Sequence, residues 1–320
     1  MDRPEALESK DLANNDELYR RLFRTSLLIR LVEERIIELY PSDRIQSPVH
    51  LSIGQEAVAA GVCDALRPDD LVFATYRSHG FYIAKGGRLD QMFAELYGRI
   101  GGGAKGKAGS MHLSAPEVGL MGSSAVVAST IPHAVGAALS FKRQGSDRVA
   151  VAVFGDGATE EGVYHESLNF ASLMKAPVLF LCEDNGLAVH SHRHIRQSYG
   201  LLKHAETYGI AARRVDEGWD MLAIREATMQ AAAHVRTGQP FLLEIATSRY
   251  KEHVGVGEDF HFQYRGRTDV DAWKKRDPLI VDSALADALM PELQREIEAA
   301  VAFAERSPAP DRDELLTDII

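Results

Sequence analysis

Apolar residues recur at helical spacing between positions 16 and 40, at Leu18, Leu22, Leu27, Leu28, Leu31, Val32 and Ile36, and Pro41 follows as a stop. Shorter helices are expected over 55–66, 80–85 and 89–98, with a strand at 71–76 and a helix of small residues at 131–142. The clearest unit comes next. An uninterrupted apolar run, VAVAVF (149–154), leads through a GDG turn into an amphipathic stretch (160–175) and a second apolar run, PVLFLCE (177–183). Two such runs joined by a helix predict parallel strands covered on both faces. Further strands are expected at 210–215 and 241–246 around a helix at 221–236. The fold class is therefore α/β, a doubly wound and mainly parallel sheet flanked by helices. Residues 249–267 show neither period and read as a long loop, functional or mobile; a helix at 292–306 follows. The expected organisation is a flexible leader (1–15), one α/β domain (16–306) and a C-terminal tail (307–320), without repeats.

Composition narrows the role more than the fold. A length of 320 residues allows one large or two ordinary domains. With 45% hydrophobic and 26% charged residues the chain resembles an ordinary soluble protein. Its net charge of −10 gives nucleic acid no overall attraction. No apolar stretch is long enough to span a membrane, and the first residues are polar and acidic, so no signal peptide and a cytoplasmic location are expected. Cys63 and Cys182 lie in apolar runs and read as buried free thiols of a reducing compartment.

Two glycine-rich segments carry candidate chemistry. GGGAKGKAG (101–109) approaches a phosphate loop, but Ala108 stands where Ser or Thr should hold magnesium, and the preceding residues look helical. A tight cationic loop is the plainer reading. The GDG turn at 155–157 sits where open α/β sheets bind ligands, at the carboxyl end of a strand. Its glycines allow close backbone approach, and the helix start beyond offers N–H groups to phosphate. Asp156, with Asn185 at the end of the next strand, offers the oxygen ligands that suit Mg²⁺. An ordinary turn and a helix cap are the alternatives at this point. His190, His192 and His194 alternate in a basic stretch without Cys or carboxylate partners, which points to a solvated or phosphate-facing segment rather than zinc.

GDG followed by Asn185 at this spacing resembles the thiamine diphosphate motif. The chain is similar over about residues 16–306 to the E1 α subunits of 2-oxo acid dehydrogenases, the pyruvate, branched-chain and acetoin group. Further anchors are HLSIGQEA (50–57), TYRSHG (75–80), GRIGGGAKGKAGSMH (98–112), Arg249-Tyr250 with His253, and Asp277-Pro278. The resemblance implies that Asp156, Asn185 and the Leu187 carbonyl ligate Mg²⁺. It implies that Gly155, Gly157 and Ala158 form the diphosphate turn and that Tyr76, Arg77 and Arg249 bind the same group. Val127 would contact the aminopyrimidine and Val189 would wedge beneath the bent cofactor. His253 and His50 would work near the substrate, and His79 either there or in ordering the Arg77 loop.

The activating glutamate of that family comes from a pyrimidine domain that this chain lacks; Glu56 falls on a structural helix. The resemblance thus implies an E1β-like partner in an α2β2 assembly, a 2-oxo acid substrate and, as acceptor, the lipoyl group of an acyltransferase. A carboligase subunit or a non-catalytic assembly paralogue are the alternatives. The chain departs from the family at Glu252–Gly257, where a regulated serine is absent, at Ala125 and Ala128, which replace glycines, and at the acidic Glu160-Glu161.

Overall fold

Along the run at 149–154, odd and even residues face opposite ways, and each set meets its own core. Val149, Val151 and Val153 pack with Leu179, Leu181, Leu243 and Ile245 on one side of the sheet. Ala150, Ala152 and Phe154 pack with Val178, Phe180, Cys182 and Leu242 on the other. A strand apolar at every position is stable only between two layers of helices, and that is the arrangement found.

The computed structural model describes the backbone of residues 5–317 and the side chains of residues 16–317. The strands in chain order are β1 (Leu71–Thr75), β2 (Leu120–Ser124), β3 (Ala150–Gly155), β4 (Val178–Asp184), β5 (Leu187–Ala188), β6 (Ser191–His192), β7 (Ala211–Val215) and β8 (Phe241–Ala246). Six of them form one parallel sheet in the order β2-β1-β3-β4-β8-β7, while β5 and β6 make a small antiparallel hairpin. Helices Glu56–Ala65 and Met221–Arg236 belong to the first core, together with the long helices Glu5–Leu39 and Ser283–Arg306. Helices Thr130–Arg143, Gly162–Met174 and Leu201–Thr207 cover the other face. The doubly wound parallel sheet expected from the sequence is the fold. Both cysteines are free and buried. No helix among the described residues is long and apolar enough to cross a membrane.

Several boundaries differ from expectation. The backbone at 5–15 continues the first helix instead of forming a frayed leader; residues 1–4 and 318–320 lie outside the described residues. β2 was not foreseen, because LMGSS has no alternation. The last helix begins at Ser283, capped by Asp282, and runs through Pro291, whose presence made 292 look like its start. Residues 307–317 are held to the body: the Lys107 ammonium reaches Glu314 (3.1 Å) and the Thr317 carbonyl (3.1 Å). The loop from 249 is tied down internally. Buried Asp259 accepts from Arg249 (2.8 Å) and Arg265 (2.8 Å), and a helix (Arg267–Lys274) starts after Gly266.

Candidate functional site

From β1 the chain crosses to the sheet edge as β2, then returns past β1 to form β3. The direction of winding therefore reverses between β1 and β3, and ligands in such sheets bind outside the strand carboxyl ends at that point. A cleft of about 280 Å³ opens there. Thr75, Tyr76 and Arg77 enter it from the end of β1, Gly155–Ala158 from β3, Glu183 and Asn185 from β4, and Leu187–Val189 from the hairpin. Val126–Ala128, after β2, form the opposite lip.

The proposed cation ligands, Asp156, Asn185 and Leu187, all line this cleft. Asp156 is buried, and its carboxyl is pushed up to about 6, by burial first and Asp184 second, against the pull of Arg196. Arg196 donates to Asp156 Oδ2 at 2.5 Å. Asn185 donates to Gln55 (3.1 Å), and its Oδ1 accepts from the Leu187 amide (3.1 Å), which fixes the amide's orientation. Carboxylate, amide oxygen and peptide carbonyl make a hard-donor set that suits Mg²⁺. Gly157 is required by packing: a Cβ there would lie 2.8 Å from the Ala188 Cβ. Such a glycine lets an anion reach the turn's backbone, so the residues fit a magnesium-bound diphosphate.

Arg77 is buried, donating to the carbonyls of Leu51 and His253 (3.1 Å), and burial lowers its pKa. A buried guanidinium bonded to carbonyls alone attracts an anionic ligand. The His253 ring meets those of Tyr76 (centroids 5.7 Å) and His50 (5.2 Å). Burial, and then the Arg77 charge, pushes both imidazoles down to about 3. They are neutral at pH 7, each with one donor and one acceptor nitrogen. His50 stands behind Tyr76 (centroids 4.4 Å), and its buried Nδ1 has no partner.

Three expected site residues lie outside the cleft lining: His50, set behind Tyr76, and also His79 and Arg249. His79 is fully buried between Glu33 (3.1 Å) and Ser110 (2.8 Å), outside the cleft lining and two residues from Arg77. Arg249 also lies outside the lining. The buried Asp259 charge needs a counter-ion and takes this guanidinium, which also donates to Tyr264 (2.8 Å) and the Val189 carbonyl (2.9 Å). That last bond props Val189, 48% exposed at the rim, in a left-handed conformation (φ 54°) rare for a β-branched residue. Ala128 on the facing lip also has positive φ (63°), which explains why glycine suits that position.

The glycine-lysine loop is no phosphate site. Its amides at Ala104 (2.9 Å), Gly106 (3.0 Å), Ala108 (2.6 Å) and Gly109 (3.1 Å) all donate to the carboxylate of Glu95. A Cβ on Gly102 would strike that carboxylate at 2.4 Å. The loop is an anion nest filled by the chain's own side chain. Glu56, as expected, is structural: it ion-pairs with Arg30, which also holds Asp277 (2.8 Å). Among the described residues no group of His, Cys, Asp and Glu is arranged to hold a metal by itself. His190 stacks on Phe262 and Tyr264.

Sequence reasoning missed Gln55, Glu183 and Arg196. Glu183 is buried in the cleft, its carboxyl pushed up to about 7 by burial. The first two lie inside segments quoted for other reasons, HLSIGQEA and PVLFLCE, whereas Arg196 is hidden in a basic run.

Comparison with known proteins shows the family. Residues 24–312 match the family described as "Dehydrogenase E1 component". The α subunit of acetoin:2,6-dichlorophenolindophenol oxidoreductase from Bacillus subtilis (strain 168) is 34% identical over 98% of this chain and 96% of its own. The pyruvate dehydrogenase E1 α subunit of Rhizobium meliloti (strain 1021) is 34% identical, over 97% and 91%. The mitochondrial somatic form from Homo sapiens is 36% identical, over 92% and 77%.

Proposed function

The chain belongs to the dehydrogenase E1 component family, and from that premise we propose that it is the α subunit of a thiamine-diphosphate-dependent enzyme. Together with an E1β-like subunit, it decarboxylates a 2-oxo acid and passes the acyl unit to a lipoyl acceptor. The observation that carries this reading is the convergence of Asp156, Asn185 and the Leu187 segment with the Gly157 turn on one cleft at the switch point.

When bound, thiamine diphosphate would supply the carbon nucleophile and electron sink that loss of CO2 requires. The chain's residues hold and orient it. Asp156, Asn185 and the Leu187 carbonyl would bind Mg²⁺, while Gly157, Ala158, Tyr76 and Arg77 take the diphosphate. Val127 and Val189, both in the cleft lining, would contact the cofactor through their apolar side chains. His253, kept neutral by burial and by Arg77, donates or accepts a proton at the reacting centre, with His50 packed behind it.

Calorimetry of the assembled protein should show tight thiamine diphosphate binding with Mg²⁺ and little in excess chelator; equal binding in both would sink the reading. His253→Ala should lower turnover about a hundredfold while changing cofactor affinity little, because its work is on the reacting atoms. Unchanged turnover in that variant would remove His253 from the mechanism.

A further inference from the structure

We propose that Arg196 is a positioning residue that locks the GDG turn and the β5–β6 hairpin in register, so that Asp156 and the Leu187 carbonyl face one cation. The inference rests on reading the cleft as a Mg²⁺–diphosphate site. Every nitrogen of the Arg196 guanidinium is engaged. Nε donates to the Ser191 carbonyl (3.0 Å) in β6, Nη1 pairs with Glu160, and Nη2 donates to Asp156 Oδ2 (2.5 Å). Ser191 pairs with Ala188 in the hairpin, next to Leu187. One planar fork thus joins the segment bearing the carboxylate ligand to the segment bearing the carbonyl ligand. It holds Oδ2 of Asp156 and leaves Oδ1 without a bond to this fork.

The location makes the role specific. Arg196 is largely buried and lies outside the cleft lining, so it acts through Asp156 and not on the diphosphate. Arg193, one turn earlier, anchors the same hairpin to Asp184 (2.6 Å) and Glu244 (2.7 Å). Arg214, on β7, pairs with both carboxylates too, so their charge stays compensated without Arg193, and neither pair touches Asp156. Among the described residues no second cation pairs with Asp156. The segment has other ties to the turn, from Gln197 (2.6 Å) and Tyr199 (2.8 Å) to Thr159, so loss of the fork should not unfold it.

The test titrates Mg²⁺ into the assembled protein at fixed thiamine diphosphate, followed by calorimetry, with Mn²⁺ paramagnetic resonance as an independent count of bound ion. R196Q should raise the half-saturating Mg²⁺ concentration about tenfold or more, in the range seen when a group orienting a metal ligand is lost. R196K, which keeps the charge without the fork, should recover part of the loss, and R193Q should shift binding less. Thermal unfolding without ligand should be alike in all three. Wild-type or tighter Mg²⁺ binding in R196Q would overturn the proposal, since the guanidinium would then only occupy the cation's place. An equal loss in R193Q would also overturn it, assigning the effect to the hairpin at large. Should R196Q fail to assemble, R196K decides: an intermediate shift supports the role and no shift refutes it. Failure of the wild type to bind the pair would instead overturn the reading of the cleft, and the proposal with it.

Discussion

Asp156→Ala should leave the assembled protein unable to retain thiamine diphosphate. This is the only carboxylate in the proposed donor set, and without it the cation that neutralises the diphosphate loses its one charged ligand. Loss of a group that merely supports a ligand costs about tenfold to a hundredfold in metal affinity, so loss of the ligand itself should exceed that. The fold should survive. Asp156 is destabilised in the free protein by burial and by Asp184, and its removal relieves both. Asp156→Asn, which keeps one oxygen, should fall between the two. Calorimetric affinity for the cofactor in Asp156→Ala equal to wild type would refute the assignment of the site.

The second large effect is dependence on a partner. The chain alone should show almost no decarboxylation, and activity should appear when an E1β-like chain is added. Val126 (67% exposed), Val127 (42%) and Val189 (48%) form an apolar rim around the cleft mouth. An exposed apolar rim beside a polar cleft is an incomplete site, and a second chain would seal it from water. The bent cofactor would lie across the junction, so assembly and cofactor binding should reinforce each other by linkage. The assay is a panel of 2-oxo acids offered to the chain with and without its partner. Robust turnover by the chain alone would overturn the two-chain site. Glu183, the buried carboxyl in the cleft wall with a pKa near 7, would then be the activating group to test.

The parts of this molecule that were legible in its sequence are those written locally. β3, β4 and β8 announce themselves as apolar runs because both faces are covered, and the candidate ligands at strand ends stand out because they abut glycine turns. The edge strand β2 has only Leu120 and Ser123 buried, too little for a pattern. Arg249 and His79 stood in recognisable motifs, yet a motif does not say which way a side chain points. Asp259 redirected the first and Glu33 the second. Arg196 reaches Asp156 across forty positions, and no periodicity records such a pairing.

The Glu95 nest has a kinetic meaning as well. β1 and β2 are neighbours in the sheet, but the chain between Thr75 and Leu120 must close a long crossover before they can pair. Closure entropy rises with the length of free chain, and parallel pairing is slow for that reason. Glu95 gathers the amides of residues 104–109 from only a few turns away, a contact that can form without waiting for the sheet. The segment from Glu95 to Gly109, about a third of the crossover, is then condensed into one unit, and closure should become easier by a few tenths of a kcal/mol. The carboxylate that fills a loop resembling a phosphate site is, in folding terms, a local cross-link within the crossover.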